Sequence, residues 1–276
     1  MPTARSHLYV PANSGKMVTS ASRLRPHSVI LDLEDGVADN QKQSALNGIQ
    51  DAVNKLNHAD VWVRINSGIL GESDISGLDQ VTGIAGIWIA KAEPTAQFQR
   101  IIEFAEGRGL RLGVLIESAA GYLGRHDLLA PNSVTRVQIG EYDLRGELGM
   151  AMPGSAVDSD LDGIRLEVVM AAKTAGVSEL VSGVSSNFGD LAEFESSCVS
   201  MANLGFNGRA CIHPAQLEIV HRVFSPTAEE TVWAQRIVAE FKVRISSGQG
   251  AYVGESGQMA DAATVLRAQN ILSQLN

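Results

Sequence analysis

The stretch Val29-Ile-Leu-Asp-Leu-Glu-Asp-Gly36 begins as an apolar strand and ends in three acids. Its first three residues have the apolar, mostly branched side chains that β-strands favour. Asp32, Glu34 and Asp35 follow within four positions, where like charges repel one another. A buried carboxylate is costly unless it is paired or binds a cation. The stretch therefore predicts a buried strand whose far end belongs to a polar, ligand-binding rim.

Seven further apolar runs of strand length occur along the chain, separated by helix-length amphipathic stretches. In order, the eight runs are His7–Pro11, Ser28–Leu33, Val61–Asn66, Gly86–Lys91, Leu110–Glu117, Val134–Gly140, Glu179–Val184 and Gly208–His213. Strands that alternate with helices pair in parallel through βαβ units. Eight such units within residues 1–223 predict a closed (β/α)8 TIM barrel rather than an open sheet.

The remaining residues, 224–276, predict a C-terminal helical lid that could also serve in oligomerisation. Thr227 and Glu230 have the spacing of a capping box, which begins a helix. A glycine-rich run extends from Ser246 to Gly257, and a final helix is expected from Asp261. We expect this segment to be too small for a core of its own. The barrel or a neighbouring subunit should then cover the apolar stripe of the final helix, at Ala262, Val265, Leu266, Ile271 and Leu272.

The composition is that of a globular protein with an excess of acid. The chain of 276 residues has 22 basic and 31 acidic side chains, and its formal net charge is −9. Such a chain is a poor candidate for binding nucleic acid or an anionic membrane, so we expect neither partner. Two cysteines, no apolar leader and no membrane-length apolar run predict reduced thiols and a cytoplasmic location.

Polar residues close most of the predicted strands, and in a parallel barrel these ends meet at the rim where active sites lie. The residues at these ends, all polar except Pro11, are Tyr9, Pro11, Asp32, Glu34, Asp35, Arg64, Asn66, Lys91, Glu93, Glu117, Glu141, Asp143 and His213. A carboxylate-rich site with few histidines suits Mg²⁺, which keeps several waters, or Mn²⁺. The alternative is a set of salt bridges from the acids to Arg64 and Lys91. We expect the metal site.

Three other features each allow a chemical and a structural interpretation. A barrel lysine can form a Schiff base with a carbonyl substrate, but we expect Lys91 to pair with a rim acid. We expect His213 to be a hydrogen-bonded structural residue rather than a metal ligand. Residues 1–31 contain no acid, and they form either a chance solvated cluster or a basic rim for an anionic ligand with Arg5, Lys16, Arg23 and Arg25.

Several stretches together are specific, although each alone would be weak. They are RSHLYVPAN, VILDLEDGV, VWVRIN, GIWIAKAE, LIESAAG, IGEYDL, GFNGRACIHPAQ, FSPTAEE and SGQMAD. In these stretches, which are distributed along nearly the whole chain in the expected order, the sequence resembles the citrate lyase β-subunit-like proteins of the HpcH/HpaI aldolase family. That family includes malyl-CoA and citramalyl-CoA lyases. The resemblance implies a (β/α)8 barrel with a C-terminal lid, homotrimers or hexamers, and Mg²⁺-dependent carbon–carbon lyase chemistry on acyl thioesters.

The resemblance also implies roles for individual residues. By position, Glu117 and Asp143 match the metal ligands, and Arg64 matches the arginine that contacts the reacting oxygen. Glu34 and Asp35 match a catalytic acidic pair that supports the metal waters. Asp261 matches the catalytic acid that the lid of a neighbouring subunit delivers, although it could instead, or also, cap the final helix. Substrate-binding positions are expected at Tyr9, Pro11, Lys16, Arg64, Glu117, Gly140, Glu141 and Tyr142.

We therefore expect a lyase that cleaves, or forms in reverse, a 3-hydroxyacyl-CoA thioester such as malyl-, citramalyl- or citryl-CoA. The products would be an acyl-CoA and a small keto acid. One alternative is a metal-dependent pyruvate-type aldolase that acts without CoA, and another is a non-catalytic subunit that binds an acyl carrier in a citrate lyase-like complex. Four positions depart from the usual family residues and bear on the carrier more than on the chemistry, namely Ala12, Leu46, Ala90 and Arg209.

Overall fold

Eight parallel strands form a closed barrel in the order in which they occur along the chain. They are β1 (Ser6–Pro11), β2 (Ser28–Asp32), β3 (Asp60–Ile65), β4 (Gly86–Ile89), β5 (Arg111–Ile116), β6 (Val134–Ile139), β7 (Glu179–Ser182) and β8 (Gly208–Cys211). β1 pairs with both β2 and β8, and the second pairing closes the barrel. Each predicted run contains one of these strands, so the predicted (β/α)8 TIM barrel is confirmed.

The computed structural model describes residues 3–57, 59–154, 158–246, 252–253 and 259–275. It consists of two compact units, a larger one of Ala4–Arg222 and a smaller one that comprises the rest. In the described part of the chain, no helix combines the length and the apolar character that a bilayer span requires. The role of the smaller unit as a lid stays a prediction.

Helices follow the strands of the barrel, and the last helix of the larger unit comes after β8. They are α1 (Gly15–Ala21), α2 (Lys42–Asn47), α3 (Ile49–Lys55), α4 (Gly68–Leu78), α5 (Ala96–Gly107), α6 (Ala119–Leu123), α7 (Arg125–Leu129), α8 (Glu141–Leu148), α9 (Asp162–Ala175), α10 (Leu191–Asn203) and α11 (Gln216–Val223), with a 3-10 turn at Asp39–Gln41 before α2. Side-chain oxygens of Thr95, Ser118 and Asp190 cap the first turns of α5, α6 and α10. Such caps satisfy N–H groups that have no partner within the helix.

Two tryptophans on neighbouring strands fill the barrel interior. Trp62 of β3 and Trp88 of β4 are fully buried, with ring centroids 6.0 Å apart. Each ring lies against a glycine of the next strand, where a Cβ would come within 2.5 Å of Trp62 at Gly86 and within 2.6 Å of Trp88 at Gly113. The glycines therefore provide the space that the indole rings occupy.

A buried ion network closes the N-terminal end of the barrel. Arg136 forms ion pairs of 2.7 Å with both Glu179 and Asp60, and its guanidinium lies 3.9 Å from the centroid of the Trp62 ring. Fully buried His7 lies 3.9 Å from Glu179 and contacts the Ala4 carbonyl oxygen at 3.0 Å. Burial, followed by the charge of Arg136, lowers the pKa of His7 well below its ordinary value. His7 is therefore neutral in the folded protein.

The smaller unit contains α12 (Ala228–Ser246), β9 (Tyr252–Val253), β10 (Met259–Ala260) and α13 (Ala262–Ser273). The predicted capping box begins α12, because the Thr227 N–H donates to Glu230 Oε2 at 2.9 Å and the Glu230 N–H donates to Thr227 Oγ1 at 3.1 Å. Most of the predicted glycine-rich run lies outside the described residues, and its Tyr252 and Val253 form β9.

The expectation that this segment has no core of its own is wrong. Helices α12 and α13 pack together around a cluster of Ala234, Ile237, Ala260, Val265 and Ala268, with Trp233, Phe241, Ile271 and Leu272 against it. The predicted apolar stripe of α13 is only partly covered, because Leu266 lies outside this cluster with 59% of its surface exposed. Long aromatic and aliphatic side chains of α12 contact α13 and supply enough apolar contacts for a core. The prediction considered only the short length of the segment and so missed these contacts.

Candidate active site

A cavity of about 450 Å³ lies at the C-terminal ends of the barrel strands. It brings together most of the predicted site residues, namely Tyr9, Pro11, Asp35, Arg64, Glu117, Gly140, Glu141, Tyr142 and Asp143. Its lining also includes Asp32, which was expected at the rim, and residues that the sequence analysis did not select, namely Met17, Gly36, Leu115, Gln138, Ile139, Gly183, Val184 and Ile212. The rim predicted from the polar strand ends is therefore a real concave surface.

Arg64, at the end of β3, is held by two acids of the opening stretch. Its Nε donates to Asp32 Oδ1 at 2.6 Å and its Nη2 donates to Asp32 Oδ2 at 2.7 Å. Its Nη1 lies 2.8 Å from Glu34 Oε2. Burial lowers the pKa of Arg64, but the hydrogen bonds to Asp32 and the nearby negative groups raise it by more, so the net direction is upward. The guanidinium is therefore a fixed and permanent cation.

Asp32 is itself anchored by the turn that follows β2. Its two carboxylate oxygens accept the backbone N–H groups of Glu34, at 2.9 Å, and Gly36, at 2.8 Å. A Cβ at position 36 would lie 2.5 Å from Asp32 Oδ2, so only glycine allows this approach. Asp32 is 3% exposed, and its role in holding Arg64 could not be recognised without the register that pairs it with Arg64 across β2 and β3.

Glu34 joins Arg64 to Lys91. Glu34 Oε1 lies 2.6 Å from Lys91 Nζ, while its other oxygen contacts Arg64. The expected pairing of Lys91 with a rim acid is thus confirmed. For Asp32 and Glu34 the salt-bridge interpretation of the acidic stretch is correct, because both carboxylates have cationic partners within 3 Å. Asp35 is more exposed and lies 3.8 Å from Arg64.

Glu117, which follows β5, has a different environment. It is 4% exposed, and within the described chain no Lys or Arg lies within ion-pair distance of its carboxylate. Its Oε1 accepts the Lys91 backbone N–H at 2.8 Å. Lys91 has a φ of +48°, unusual for a residue with a side chain, and this conformation accompanies the contact. Burial raises the pKa of Glu117 above its ordinary range, and a hydrogen bond with Asp143 raises it further.

The pair Glu117–Asp143 fits a divalent cation. Two adjacent carboxylates without a basic partner are the arrangement that a bound cation would stabilise. Gly140 lies directly before α8 and leaves space for the Glu117 carboxylate. A Cβ at position 140 would lie 2.5 Å from Glu117 Oε2. No cluster of three or more potential ligand side chains is present among the described residues. A cation held by two carboxylates and several waters matches Mg²⁺.

The N-terminus of α8 forms one wall of the cavity. Gly140 and the first three helical residues line it, and the first N–H groups of a helix have no intrahelical acceptor. The side chains of two predicted substrate-binding residues are engaged elsewhere. Both carboxylate oxygens of Glu141 accept hydrogen bonds from Arg165, and the Tyr142 hydroxyl lies 2.9 Å from Ser186 Oγ. Glu141 and Tyr142 can therefore contact a ligand through their backbone groups.

Tyr9 contributes a neutral hydroxyl beneath Arg64. The Arg64 guanidinium lies 5.0 Å from the centroid of the Tyr9 ring, and the Tyr9 hydroxyl donates to Gln138 Oε1 at 3.2 Å. Burial raises the pKa of Tyr9 well above its ordinary value, and the charge of Arg64 only partly opposes this shift. Tyr9 therefore remains protonated and can position Gln138 or a ligand without adding charge.

Several other residues considered in the sequence analysis are absent from this lining, namely Lys16, Glu34, Asn66, Lys91, Glu93 and His213. Lys16 lies on the exposed side of α1. His213 Nδ1 accepts the Ala215 N–H at 3.2 Å and its ring stacks on Phe188, so it is a structural histidine as expected. Asp261 belongs to the smaller unit, where it caps α13 by accepting the Thr264 N–H at 2.9 Å. Its expected catalytic role stays a prediction.

The fold and the rim define a (β/α)8 protein with an arginine clamp beside a carboxylate pair suited to a metal. A family model described as HpcH/HpaI aldolase/citrate lyase matches residues 5–214, and the chain belongs to this family. It is 30% identical over 277 residues to a (3S)-malyl-CoA thioesterase of Cereibacter sphaeroides, and the match covers 98% of this chain and 94% of that protein. It is 29% identical over 289 residues to the mitochondrial citramalyl-CoA lyase of Rattus norvegicus, with coverages of 98% and 85%.

A solved structure agrees with the fold. The chain is similar to CitE from Mycobacterium tuberculosis in complex with magnesium, acetoacetate and coenzyme A. The TM-score is 0.76 at 26% sequence identity, and the match covers 99% of both chains.

Proposed function

We propose that this protein is a Mg²⁺-dependent lyase that cleaves a 3-hydroxyacyl-CoA thioester into an acyl-CoA and a keto acid, or catalyses the reverse condensation. The observation that carries this proposal is the buried Glu117 carboxylate, which has Asp143 beside it and no basic partner in the described chain. The neighbouring Arg64 supplies the fixed cation that such chemistry needs. The named activities of the relatives and the ligands of CitE support the same class of reaction.

Glu117 and Asp143 would hold the cation. When bound, Mg²⁺ supplies Lewis-acid polarisation and a template for the oxygens of the substrate. The N–H groups at the start of α8 are placed to bind the substrate carboxylate, since a helix N-terminus favours anions. The Asp32–Arg64–Glu34 arrangement fixes the guanidinium before substrate arrives, which is the condition for electrostatic stabilisation of a transition state.

The proposed cleavage requires one proton to leave the substrate hydroxyl and one carbon–carbon bond to break. A carboxylate base takes the hydroxyl proton, the hydroxyl-bearing carbon becomes a carbonyl carbon as the carbon–carbon bond breaks, and the electron pair of that bond remains on the acyl thioester as an enolate. Two of the five N–H groups of Arg64 are not used by Asp32 and Glu34, and they are available to the oxygen on which charge develops. Protonation of the enolate carbon completes the acyl-CoA.

Asp261 is the proposed base, delivered by a neighbouring subunit of a homotrimer or hexamer. Its Oδ1 accepts both the N–H and the hydroxyl of Thr264 at 2.9 Å. These hydrogen bonds lower the pKa of Asp261, so the side chain is in the ionised form that a base requires. The basic residues of segment 1–31, among them the exposed Lys16, would bind the CoA phosphates. Two buried, unpaired cysteines support the proposed cytoplasmic location.

The test is a product analysis of malyl-, citramalyl- and citryl-CoA incubated with the full chain, with Mg²⁺ and with excess chelator. Keto acid, acyl-CoA and free CoA are quantified separately. The lyase predicts equal amounts of keto acid and acyl-CoA, formed only with metal. The second candidate is thioester hydrolysis, which the 30% identity to a malyl-CoA thioesterase favours, and it predicts free CoA instead. Full cleavage in chelator would contradict the metal proposal.

A further inference from the structure

Gln138 of β6 is a polar residue in an apolar layer of the barrel interior. A cluster of buried apolar residues, one from each of the other seven strands, makes up the rest of this layer. The strand register pairs Gln138 with Leu115 of β5 and with Val181 of β7, which both belong to that cluster. Gln138 itself is buried. Burial of an amide is costly unless its groups are hydrogen-bonded, so its presence in this layer indicates a function.

The protein satisfies only one end of the Gln138 amide. Its Oε1 accepts a hydrogen bond from the Tyr9 hydroxyl at 3.2 Å, whereas its Nε2 has no acceptor among the described residues. Nε2 is not enclosed by protein, because the side chain lines the active-site cavity. The bond from Tyr9 orients the amide, so the two N–H groups of Nε2 face the cavity.

The amide lies below the start of α8. Residues i and i+2 of a strand point to the same side, so Gln138 faces the barrel interior below Gly140, about 7 Å deeper along β6. Gly140, Glu141 and Tyr142 line the same cavity as Gln138. The N–H groups at the start of α8 and the N–H groups of Gln138 therefore border this cavity at successive depths.

A substrate carboxylate on this side of the cavity depends on neutral donors. Arg64 is the one cationic side chain on the described lining, and the proposed function assigns its free N–H groups to the reacting oxygen. The Gln138 amide is a neutral donor, and in the described part of the chain no acceptor competes for its Nε2.

We infer that Gln138 Nε2 donates a hydrogen bond to the substrate carboxylate, which the N–H groups of α8 bind from the side nearer the strand ends. This inference rests on the proposed function and adds a substrate-binding residue to it. The carboxylate then has donors on two sides, which fix its orientation relative to Glu117 and Asp143. Tyr9 is a positioning residue, because its hydroxyl holds the amide that contacts the substrate.

The test measures binding to the full chain in Mg²⁺, with pyruvate as the probe keto acid. Gln138→Met replaces the amide by an apolar side chain of similar length. Isothermal titration should show that the Kd for pyruvate rises about tenfold, which corresponds to about 1.4 kcal/mol. The Kd for coenzyme A should stay within about twofold, because the carrier would extend outward from the cavity. Circular dichroism verifies folding, and Gln138→Leu provides the same measurement if the first variant is unstable.

Val181→Ala is the matched control. Val181 pairs with Gln138 in the same layer but is not part of the described lining, so this variant changes the packing without touching the amide. Its Kd for pyruvate should stay within about twofold of that of the unmodified chain. Tyr9→Phe should weaken pyruvate binding less than Gln138→Met does. In the Gln138→Met background it should have no further effect, and a further loss there would overturn the positioning role of Tyr9.

An unchanged Kd for pyruvate in a folded Gln138 variant would overturn the inference. An equal rise in the Kd values for pyruvate and coenzyme A would also overturn it, as would the absence of measurable pyruvate binding by the unmodified chain. If the Kd for pyruvate depends on Gln138 while no thioester is cleaved, the proposed lyase activity fails and the role of Gln138 stands.

Discussion

The guanidinium of Arg64 and the carboxylate of Asp32 form two parallel hydrogen bonds, of 2.6 and 2.7 Å, across neighbouring strands. The register of β2 and β3 places the two residues directly opposite each other. Such a bidentate pair fixes the orientation of the guanidinium as well as its charge. Arg64 is therefore suited to contact a developing oxyanion without rearrangement.

Replacement of Arg64 by Lys tests the importance of this geometry. Lysine keeps the positive charge but lacks the planar fork, so it cannot bond both Asp32 oxygens and still reach the substrate. We expect kcat/KM to fall by roughly 10²-fold or more, as for loss of an oxyanion donor. Steady-state kinetics would measure this, with circular dichroism to verify folding. Activity within about twofold of the unmodified enzyme would reduce Arg64 to a structural ion pair.

Glu117→Gln should have opposite effects in the absence and presence of metal. Without metal, the free energy of unfolding of the variant should exceed that of the unmodified protein by about 1 kcal/mol. The reason is that the substitution replaces a buried carboxylate without a basic partner by a neutral amide. With Mg²⁺ at 100 times its Kd, the unmodified protein should gain about 2.7 kcal/mol and the variant almost nothing. Denaturant unfolding in chelator and in Mg²⁺ measures both. An equal gain from Mg²⁺ in the two proteins would place the cation elsewhere.

Lys91 should not form a covalent adduct with a keto acid. Its Nζ lies 2.6 Å from Glu34, and although burial lowers its pKa, the hydrogen bond and charge of Glu34 raise it above its ordinary value. A protonated ammonium is not a nucleophile. Borohydride added with pyruvate should leave the mass of the protein unchanged, with a known Schiff-base aldolase as the positive control. An adduct mapped to Lys91 would assign the protein to the other aldolase class.

His7 should make the protein sensitive to mild acid. Its pKa is lowered by burial and by Arg136, so the unfolded chain binds a proton near the ordinary histidine pKa while the folded chain does not. Stability is therefore lost as the pH falls below about 6.5, by at most about 1.4 kcal/mol per pH unit. His7→Gln should show a shallower decline of unfolding free energy between pH 6.5 and 5. Parallel curves for the two proteins would show that His7 is protonated in the fold.

Asp261→Asn tests whether one subunit completes the site of another. The variant should keep the cap of α13 while losing the proposed base, so thioester binding is retained and turnover is largely lost. When it is mixed with Glu117→Ala under conditions of subunit exchange, partial activity should return, because some interfaces then contain both intact groups. Each variant incubated alone is the control. No recovery after proven exchange would leave Asp261 as a helix cap.

The barrel was predictable because its strands are apolar runs of uniform length that end in polar residues. The stretch around Asp32 and the corresponding ends at Arg64 and Glu117 identified both the fold and the rim. The small core of the second unit was not predicted. It depends on contacts between α12 and α13 that are separated in sequence by the glycine-rich run.

Within the site, sequence reasoning identified the charged residues but not all of their pairings. Whether an acid of the opening stretch meets Arg64, Lys91 or a metal depends on strand register and on side-chain direction, which the sequence leaves open. Asp32 was therefore placed at the rim without a role, although it anchors Arg64. The backbone of Lys91, with φ of +48°, was equally hidden, because a residue with a side chain gives no local signal for that conformation.

The tryptophan pair and the ion network beneath it fill the interior of the barrel, so the cavity is closed at its base. Within the described barrel, whatever reaches Arg64 and Glu117 therefore enters and leaves at the C-terminal ends of the strands. In the proposed reaction the keto acid lies deeper than the thioester, whose carrier extends outward to solvent. The acyl-CoA must then depart first and the keto acid last. The keto acid should consequently bind the free enzyme and compete directly with the incoming thioester. The acyl-CoA should instead bind the complex of the enzyme with the keto acid.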